Sequence, residues 1–417
     1  MVQNAPPPAV IIVGAGLAGL ACARELRKAR VPSLVLEAAD AVGGRVRTDV
    51  LDSFRLDRGF QVLFDAYPEA KRYLNFESLE LRPFFNGAEI FKNGRFHRMA
   101  DPIRHPFSAL RALRSPIGSL HDKYYVLLLA QELSKLNHIP RRTDEMPTEE
   151  LLRAFGFSEE MINRFFRPFF GGIFLERELR TSSRVFQFLF AMMAQGQTVV
   201  PRYGMQAIPD QLAAGLPPDS IRLNTPVREV QAGRVTLESG EVLEAPKVVL
   251  AVNEPSAAQL LGAPQKAATQ RMVTCLYYST PETNLPKTPI LYLDGEGRGP
   301  VNQAVVLTNI SKDYAPAGQR LISATVLGAP GSMALEGAVR EHLALWFGPS
   351  VSGWRHLKSY TLLEAQSENR QLRTGAEGAP AKLAPGLYQC GDHLQDISIN
   401  GALLSGRLAA EAILADG

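Results

Sequence analysis

Strand-length and helix-length hydrophobic patterns alternate from the start of the chain. Residues 9–13, AVIIV, form a continuous apolar run, the pattern of a strand buried on both faces of a parallel sheet. Residues 17–30, LAGLACARELRKAR, predict a helix with basic residues gathered in its last turns, where they complement the negative end of the dipole. SLVLE then predicts a second strand ending at Glu37. Strand, helix and strand in this order begin a βαβ unit.

Between 102 and 195 the period becomes helical. TEELLRAFGFSEEMINRFFRPFFGGIFL spaces its apolar residues as a helix does, with a stop expected at Pro168 and Gly171–Gly172. Thr148 ahead of Leu151 and Leu152 predicts a capped helix start. LRTSSRVFQFLFAMMAQG predicts another amphipathic helix carrying Phe186, Phe188, Phe190, Met192 and Met193. Core packing is the plainer expectation for that stripe, and a substrate wall the sharper one. Residues 271–279, 289–293, 301–310 and 320–327 alternate or run apolar like strands. They predict a mixed sheet under a pocket, with Trp354 and Tyr360 as candidate wall residues. Near the end, LYQC reads as a strand, GDH as a turn and 400–415 as a helix.

Composition narrows the classes. The 417 residues are 46% hydrophobic and 21% charged, with a formal net charge of +3. That charge is too small to argue for nucleic acid. The seven histidines are scattered, so no metal site is expected. Cys22, Cys275 and Cys390 give no disulfide framework and suit a reducing cytoplasm. The stretch MVQNAPPPA lacks the regions of a signal peptide, and no run reaches the ~18 apolar residues of a spanning helix. The segment 102–130 is basic and amphipathic, with Arg104, Arg111, Arg114 and Lys123 among leucines and aromatics. A solvated face on packed helices is the plainer reading; peripheral contact with a membrane surface is the alternative.

The chemistry begins at the first turn. Gly14, Gly16 and Gly19 fit Gly-x-Gly-x-x-Gly between the first strand and helix. Gly14 permits the tight turn, Gly16 lets a pyrophosphate approach, and Gly19 lets the helix pack on the strand. The helix start at Leu17 and Ala18 faces phosphates with free amides and the positive dipole end. Glu37 lies where an acid binds ribose hydroxyls, and its charge disfavours a 2′-phosphate. Alone, this turn suits NAD or FAD about equally.

After Glu37 comes AADAVGGRVRTD, with Gly43, Gly44 and Arg45. Together with GAGLAGL it resembles the start of the FAD-dependent amine oxidase, phytoene desaturase and protoporphyrinogen oxidase superfamily. The resemblance implies that Gly44 and Arg45 help hold FAD near its diphosphate. LDRGFQVL resembles the next element, with Gly59, Phe60 and Gln61 approaching the flavin. NTPVREVQAGRVTLESGEVLEAPKVVLAV resembles a strand pair in which Val227 meets the adenine edge through its backbone. PRYGMQAIPDQLAAGL resembles a returning segment, with a turn at Gly204 and Met205 near the substrate. GLYQCGDHLQDISINGALLSGRLAAEAILAD resembles the C-terminal FAD element. There Asp392 would bind ribityl hydroxyls, while Asn400, Gly401 and Ala402 aim amides at the pyrimidine end.

The resulting expectation is an α/β protein with a discontinuous Rossmann-type FAD-binding domain (1–95, 196–270, 360–417). An interleaved α+β substrate domain would take 96–195 and 271–359. The activity implied is that of an FAD-dependent oxidoreductase taking hydride from a small or lipophilic substrate, desaturase-like, and passing electrons to oxygen or a quinone. Alternatives are an amine oxidase producing imine and peroxide, a non-redox flavin isomerase, and a flavin-binding protein without turnover. The strand MVTCLYYS has no lysine, which weakens the amine oxidase reading. No cysteine in 361–389 matches the covalent flavin site of monoamine oxidases, so FAD is expected to be non-covalent. No catalytic acid or base is assigned; His393 beside Asp392 is as well placed for packing as for chemistry.

Overall fold

The computed structural model describes residues 8–100, 104, 115–139, 145–264, 270–281, 284–331, 334–368 and 381–416. Arg111 and Arg114, part of the basic segment 102–130, lie outside the described residues.

The apolar run becomes the strand Val10–Val13, with Val10, Ile11 and Ile12 fully buried. It sits inside a six-stranded sheet. From one edge the strands are Ile221–Arg222, Ser33–Leu36, Val10–Val13, Lys247–Leu250, Leu387–Gln389 and Lys382–Ala384. All neighbours are parallel except the final hairpin. The register sets Val13 between Leu36 and Leu250. Segments from the start, middle and end of the chain therefore share one sheet. The first helix, Leu17–Lys28, and the last, Ile399–Ala415, pack against each other beside it. Their approach is close because Gly406 has no side chain: a Cβ there would lie 2.1 Å from Ala18 O.

A second, seven-stranded sheet has the order Arg355–Ser367, Gln270–Thr280, Arg320–Leu327, Val301–Val306, Leu291–Asp294, Gly87–Lys92, Arg95–Ala100. Side chains alternate across it, as the pleat requires. Leu276 and Tyr278 pack with Leu343 and Trp346 of the helix Leu335–Phe347. Cys275 and Tyr277 turn to the main core. Gly87–Lys92, in the segment expected to belong to the cofactor domain, pairs here instead. Arg355–Ser367 likewise runs through the boundary expected at 360.

Two local expectations fail in the helical region. The chain does not stop at Pro168 and the glycines. It passes from a π-helical turn, Ile162–Phe166, into the helix Arg167–Phe174. Pro168 occupies the first turn, where a missing N–H costs little, and the glycines permit tight packing. A Cβ on Gly172 would sit 1.8 Å from Gln303 Oε1 of the second sheet. Thr148 is not a cap either. Pro147 precedes the helix Thr148–Phe155, and the Thr148 hydroxyl donates to Thr181 O at 2.7 Å.

Candidate functional site

A cavity of about 1040 Å³ runs between the two sheets, from the first glycine turn to a wall of aromatic side chains. It is at the upper end of the range for small-molecule sites, room for a dinucleotide and a second molecule.

The glycine turn forms one end. Gly14 has φ +108°, and a Cβ there would lie 2.5 Å from Ala251 O. A Cβ on Gly19 would lie 2.1 Å from Gly14 O, so Gly19 serves helix packing and stays off the wall. Gly16 differs: a Cβ there meets nothing within 4 Å, and Gly16, Leu17 and Ala18 line the cavity. The second glycine pair lies against this turn. Gly43 N donates to Ala15 O at 2.8 Å, and Gly44, with φ +58°, sits so close that its Cβ would be 3.4 Å from Gly16 Cα. Glu37 lines the cavity and accepts from Ala15 N at 2.8 Å and Ala39 N at 2.9 Å.

Arg45 and Asp392, expected at the diphosphate and the ribityl chain, are paired with each other across 347 positions of sequence. Arg45 also donates to Ala365 O at 3.1 Å. Burial alone would push the Asp392 carboxyl up, but the charge and hydrogen bond of Arg45 hold it below the ordinary value. Gly59, Phe60 and Gln61 line the adjoining wall. Gln61 donates to Arg45 O at 2.8 Å, while its Oε1 is buried without a partner.

The start of the last helix departs from expectation. Ser398 is its cap: the Gly401 amide donates to Ser398 Oγ at 3.1 Å, and the Ala402 amide to Ser398 O at 3.0 Å. Asn400 Oδ1 accepts from Glu69 N at 3.1 Å inside the protein. Of the three, Ala402 alone lines the cavity, joined there by Ser398 and Ile399. Gly401 makes room instead, because a Cβ would lie 1.9 Å from Asp396 O. Val227 also lies off the lining, which has Val252, Asn253 and Ser256 on that side.

The far wall is built from both sheets and the helices. Phe165, Phe169 and Phe170 come from the segment around Pro168; Leu189, Phe190 and Met193 come from the helix Ser183–Gln195. Phe186, Phe188 and Met192 of that stripe are core. Val273, Leu291, Gln303 and Thr325 of the seven-stranded sheet complete the wall. Met205, Trp354 and Tyr360 do not reach it. Met205 N donates to Asp57 Oδ1, Tyr360 donates to Asp49, and Trp354 packs under the helix Leu335–Phe347. The His393 ring folds back so that a Cβ on Gly391 would be 2.4 Å from it. Arg104 lines the far end and donates to Met193 O and Ala194 O, and Lys123 donates to Ser115 O. Both cations thus spend hydrogen bonds on the protein itself. Sequence reasoning missed Tyr67, Gln366 and Ser398, all on the wall. A serine immediately ahead of an apolar helix start is a readable cap signal; Gln366 had none.

Among the described residues no cluster of metal-ligating side chains occurs, and no helix is long and apolar enough to cross a membrane.

The parallel sheet, its glycine turn and the interleaved second sheet define a Rossmann-type α/β fold with a second, mixed-sheet region. A profile for flavin containing amine oxidoreductase matches residues 17–414. The chain belongs to that family, which carries a flavin cofactor. Polyamine oxidase 5 of Oryza sativa subsp. japonica is 46% identical over 57 residues, 14% of this chain and 12% of that one. Protoporphyrinogen oxidase 2, chloroplastic/mitochondrial, of Arabidopsis thaliana is 28% identical over 167 residues, 39% of this chain and 32% of that one. The matched stretches thus span less than a third of each relative. Among solved structures, a putative protoporphyrinogen oxidase from Exiguobacterium sp. 255-15 has a TM-score of 0.71 at 19% identity, covering 99% of this chain and 100% of that one. Putrescine oxidase bound to putrescine has a TM-score of 0.70 at 18% identity, covering 98% and 99%. At such identities the fold is what is shared.

Proposed function

We propose that the cofactor is FAD, held without a covalent bond, and that the chain oxidises a lipophilic substrate by hydride removal, in the manner of a desaturase. The residues suit such a group. Gly16 leaves its backbone bare toward the cavity, and the first helix begins there with a positive dipole end. Gln61 Oε1 is a buried acceptor awaiting a donor. Glu37 and Arg45 stand beside the same turn. Cys22, Cys275 and Cys390 are buried and off the cavity wall. Acid-precipitated protein is therefore expected to leave the yellow colour in the supernatant; colour kept in the pellet overturns the non-covalent reading.

When bound, the flavin supplies hydride acceptance, and the protein's share is orientation and exclusion of water. The observation carrying the substrate class is the far wall. Its body is phenylalanine, leucine and methionine, and its charged side chain among the described residues is Arg104. Among the described residues the carboxylates lining the cavity are Glu37 and Asp392, engaged at the glycine turn and by Arg45. An apolar neutral or anionic molecule fits that wall, whereas a polyamine would find no unengaged carboxylate on it among the described residues. Amine oxidation is the second reading, favoured by the names of the relatives. Anaerobic mixing with polyenes, porphyrinogens and amines separates the two. Bleaching of the flavin band by a polyene or porphyrinogen is expected. Bleaching by amines alone, with peroxide on admitting air, overturns the reading. Reoxidation by air against a quinone then identifies the electron acceptor.

A further inference from the structure

At the start of the last helix a buried carboxylate meets the cavity through one hydroxyl. Asp396 is 1% exposed. Ser398 donates to its Oδ2, and Asn400 also reaches it. Tyr67 faces it and meets the Ser398 hydroxyl. Asp392 faces it as well, paired with Arg45 and flanked by His393. Gly401 admits the carboxylate, since a Cβ there would be 2.4 Å from Asp396 Oδ1. Ser398 and Tyr67 both lie on the cavity wall.

The Ser398 hydroxyl has one proton and two lone pairs. One lone pair accepts from the Gly401 amide at 3.1 Å. With Asp396 ionised, the proton is committed to the carboxylate, and Ser398 keeps one lone pair, open only to a donor such as the Tyr67 hydroxyl or a group in the cavity. With Asp396 protonated, the carboxylic O–H donates to Ser398 Oγ, and the serine proton turns outward. Burial favours this second state: it pushes the Asp396 carboxyl up to about 6, against the pull of the Ser398 hydrogen bond.

A separate feature marks the same stretch of wall as a binding position. Gln366 is 9% exposed, and its Nε2 donates to Ile173 O and Ile397 O, each at 3.3 Å. A flipped amide would set oxygen against two carbonyls, so the orientation is fixed. Its Oε1 is left buried without a partner, at a cost a ligand donor would remove.

Resting on the FAD reading, we propose that Asp396 is a proton-coupled positioning residue. It takes up one proton as the flavin docks against the last helix, and that proton turns Ser398 from acceptor into donor toward it. The test is FAD dissociation from the diluted holoprotein between about pH 5.5 and 8.5, read by recovery of free-FAD fluorescence. The wild-type Kd is expected to rise with pH, approaching about tenfold per unit once Asp396 must be reprotonated to bind. D396N, whose amide donates permanently to Ser398, is expected to give a flat profile at the wild-type low-pH affinity. S398A is expected to be flat and weaker, and S398T to restore the slope. A flat wild-type profile, or a wild-type slope in D396N, overturns the proposal while leaving FAD binding intact. If D396N does not fold, a slope kept by S398A overturns it equally. Protein that holds no FAD at any pH overturns the cofactor reading itself.

Discussion

Two glycines of one motif carry opposite burdens. A methyl on Gly19 would strike the Gly14 carbonyl at 2.1 Å, backbone against backbone. G19A is expected to cost about 1–3 kcal/mol of stability through overpacking, seen as a lowered melting temperature with or without flavin. A methyl on Gly16 meets no protein atom within 4 Å. G16A is expected to fold with an unchanged melting temperature when stripped of flavin. It should bind FAD more weakly by roughly tenfold to a hundredfold, the loss of a charge-assisted hydrogen bond to phosphate. Equal effects of the two variants on apoprotein stability would refute the division. These positions were legible because their spacing encodes backbone approach, which needs no knowledge of distant partners. Gly401 was not. Its neighbour Asp396 folds back over the helix start, and nothing in a glycine's local sequence tells an amide left bare for a ligand from space yielded to a carboxylate.

At the scale of elements, periodicity carried further than punctuation. The strands Val10–Val13, Gln270–Thr280 and Arg320–Leu327 lie where the apolar runs put them, because burial on one or both faces is written into the runs themselves. Pro168 with Gly171–Gly172 reads locally as a stop, yet the helix continues to Phe174. The competing term is tertiary: Gly172 lets this helix pack closely on Gln303 of the second sheet, where a Cβ would have to displace the Gln303 amide. The same helix carries Phe169 and Phe170 onto the cavity wall. The stripe Phe186–Met193 divides for a similar reason. All its members are apolar, and orientation on the helix sends Phe190 and Met193 to the cavity and Phe186 and Phe188 to the core. Helical spacing identifies a buried face, but not whether a protein or a ligand covers it.

Across the whole molecule, Asp57 joins parts that the sequence holds far apart. Its Oδ1 accepts from Thr48 Oγ1 and from Met205 N, and its Oδ2 from Tyr314; its carbonyl accepts from Tyr277 of the seven-stranded sheet. The side chain is buried beside no cation partner among its hydrogen bonds, and burial pushes the carboxyl up to about 6 against the pull of those donors. The sign comes from linkage. The folded protein binds the proton more tightly than the unfolded chain, whose carboxyl titrates near 3.9. The stabilisation is full below about pH 4 and is lost as pH rises through about 6. Asp49 works in a different window: despite some burial, Arg58, Tyr360 and Lys358 hold it at about 2, so its contribution is present above about pH 4 and lost below. D57N keeps an acceptor for the Met205 amide and can donate to the Tyr314 oxygen, and it carries no charge to bury. Its stability relative to wild type is therefore expected to improve by roughly 2 kcal/mol between pH 4 and 7, measured by urea unfolding of both proteins across that range. A difference that stays constant from pH 4 to 7 would show that Asp57 titrates as an ordinary carboxyl, ionised across that range, and that its donors from Thr48, Met205 and Tyr314 fully offset the burial of its charge.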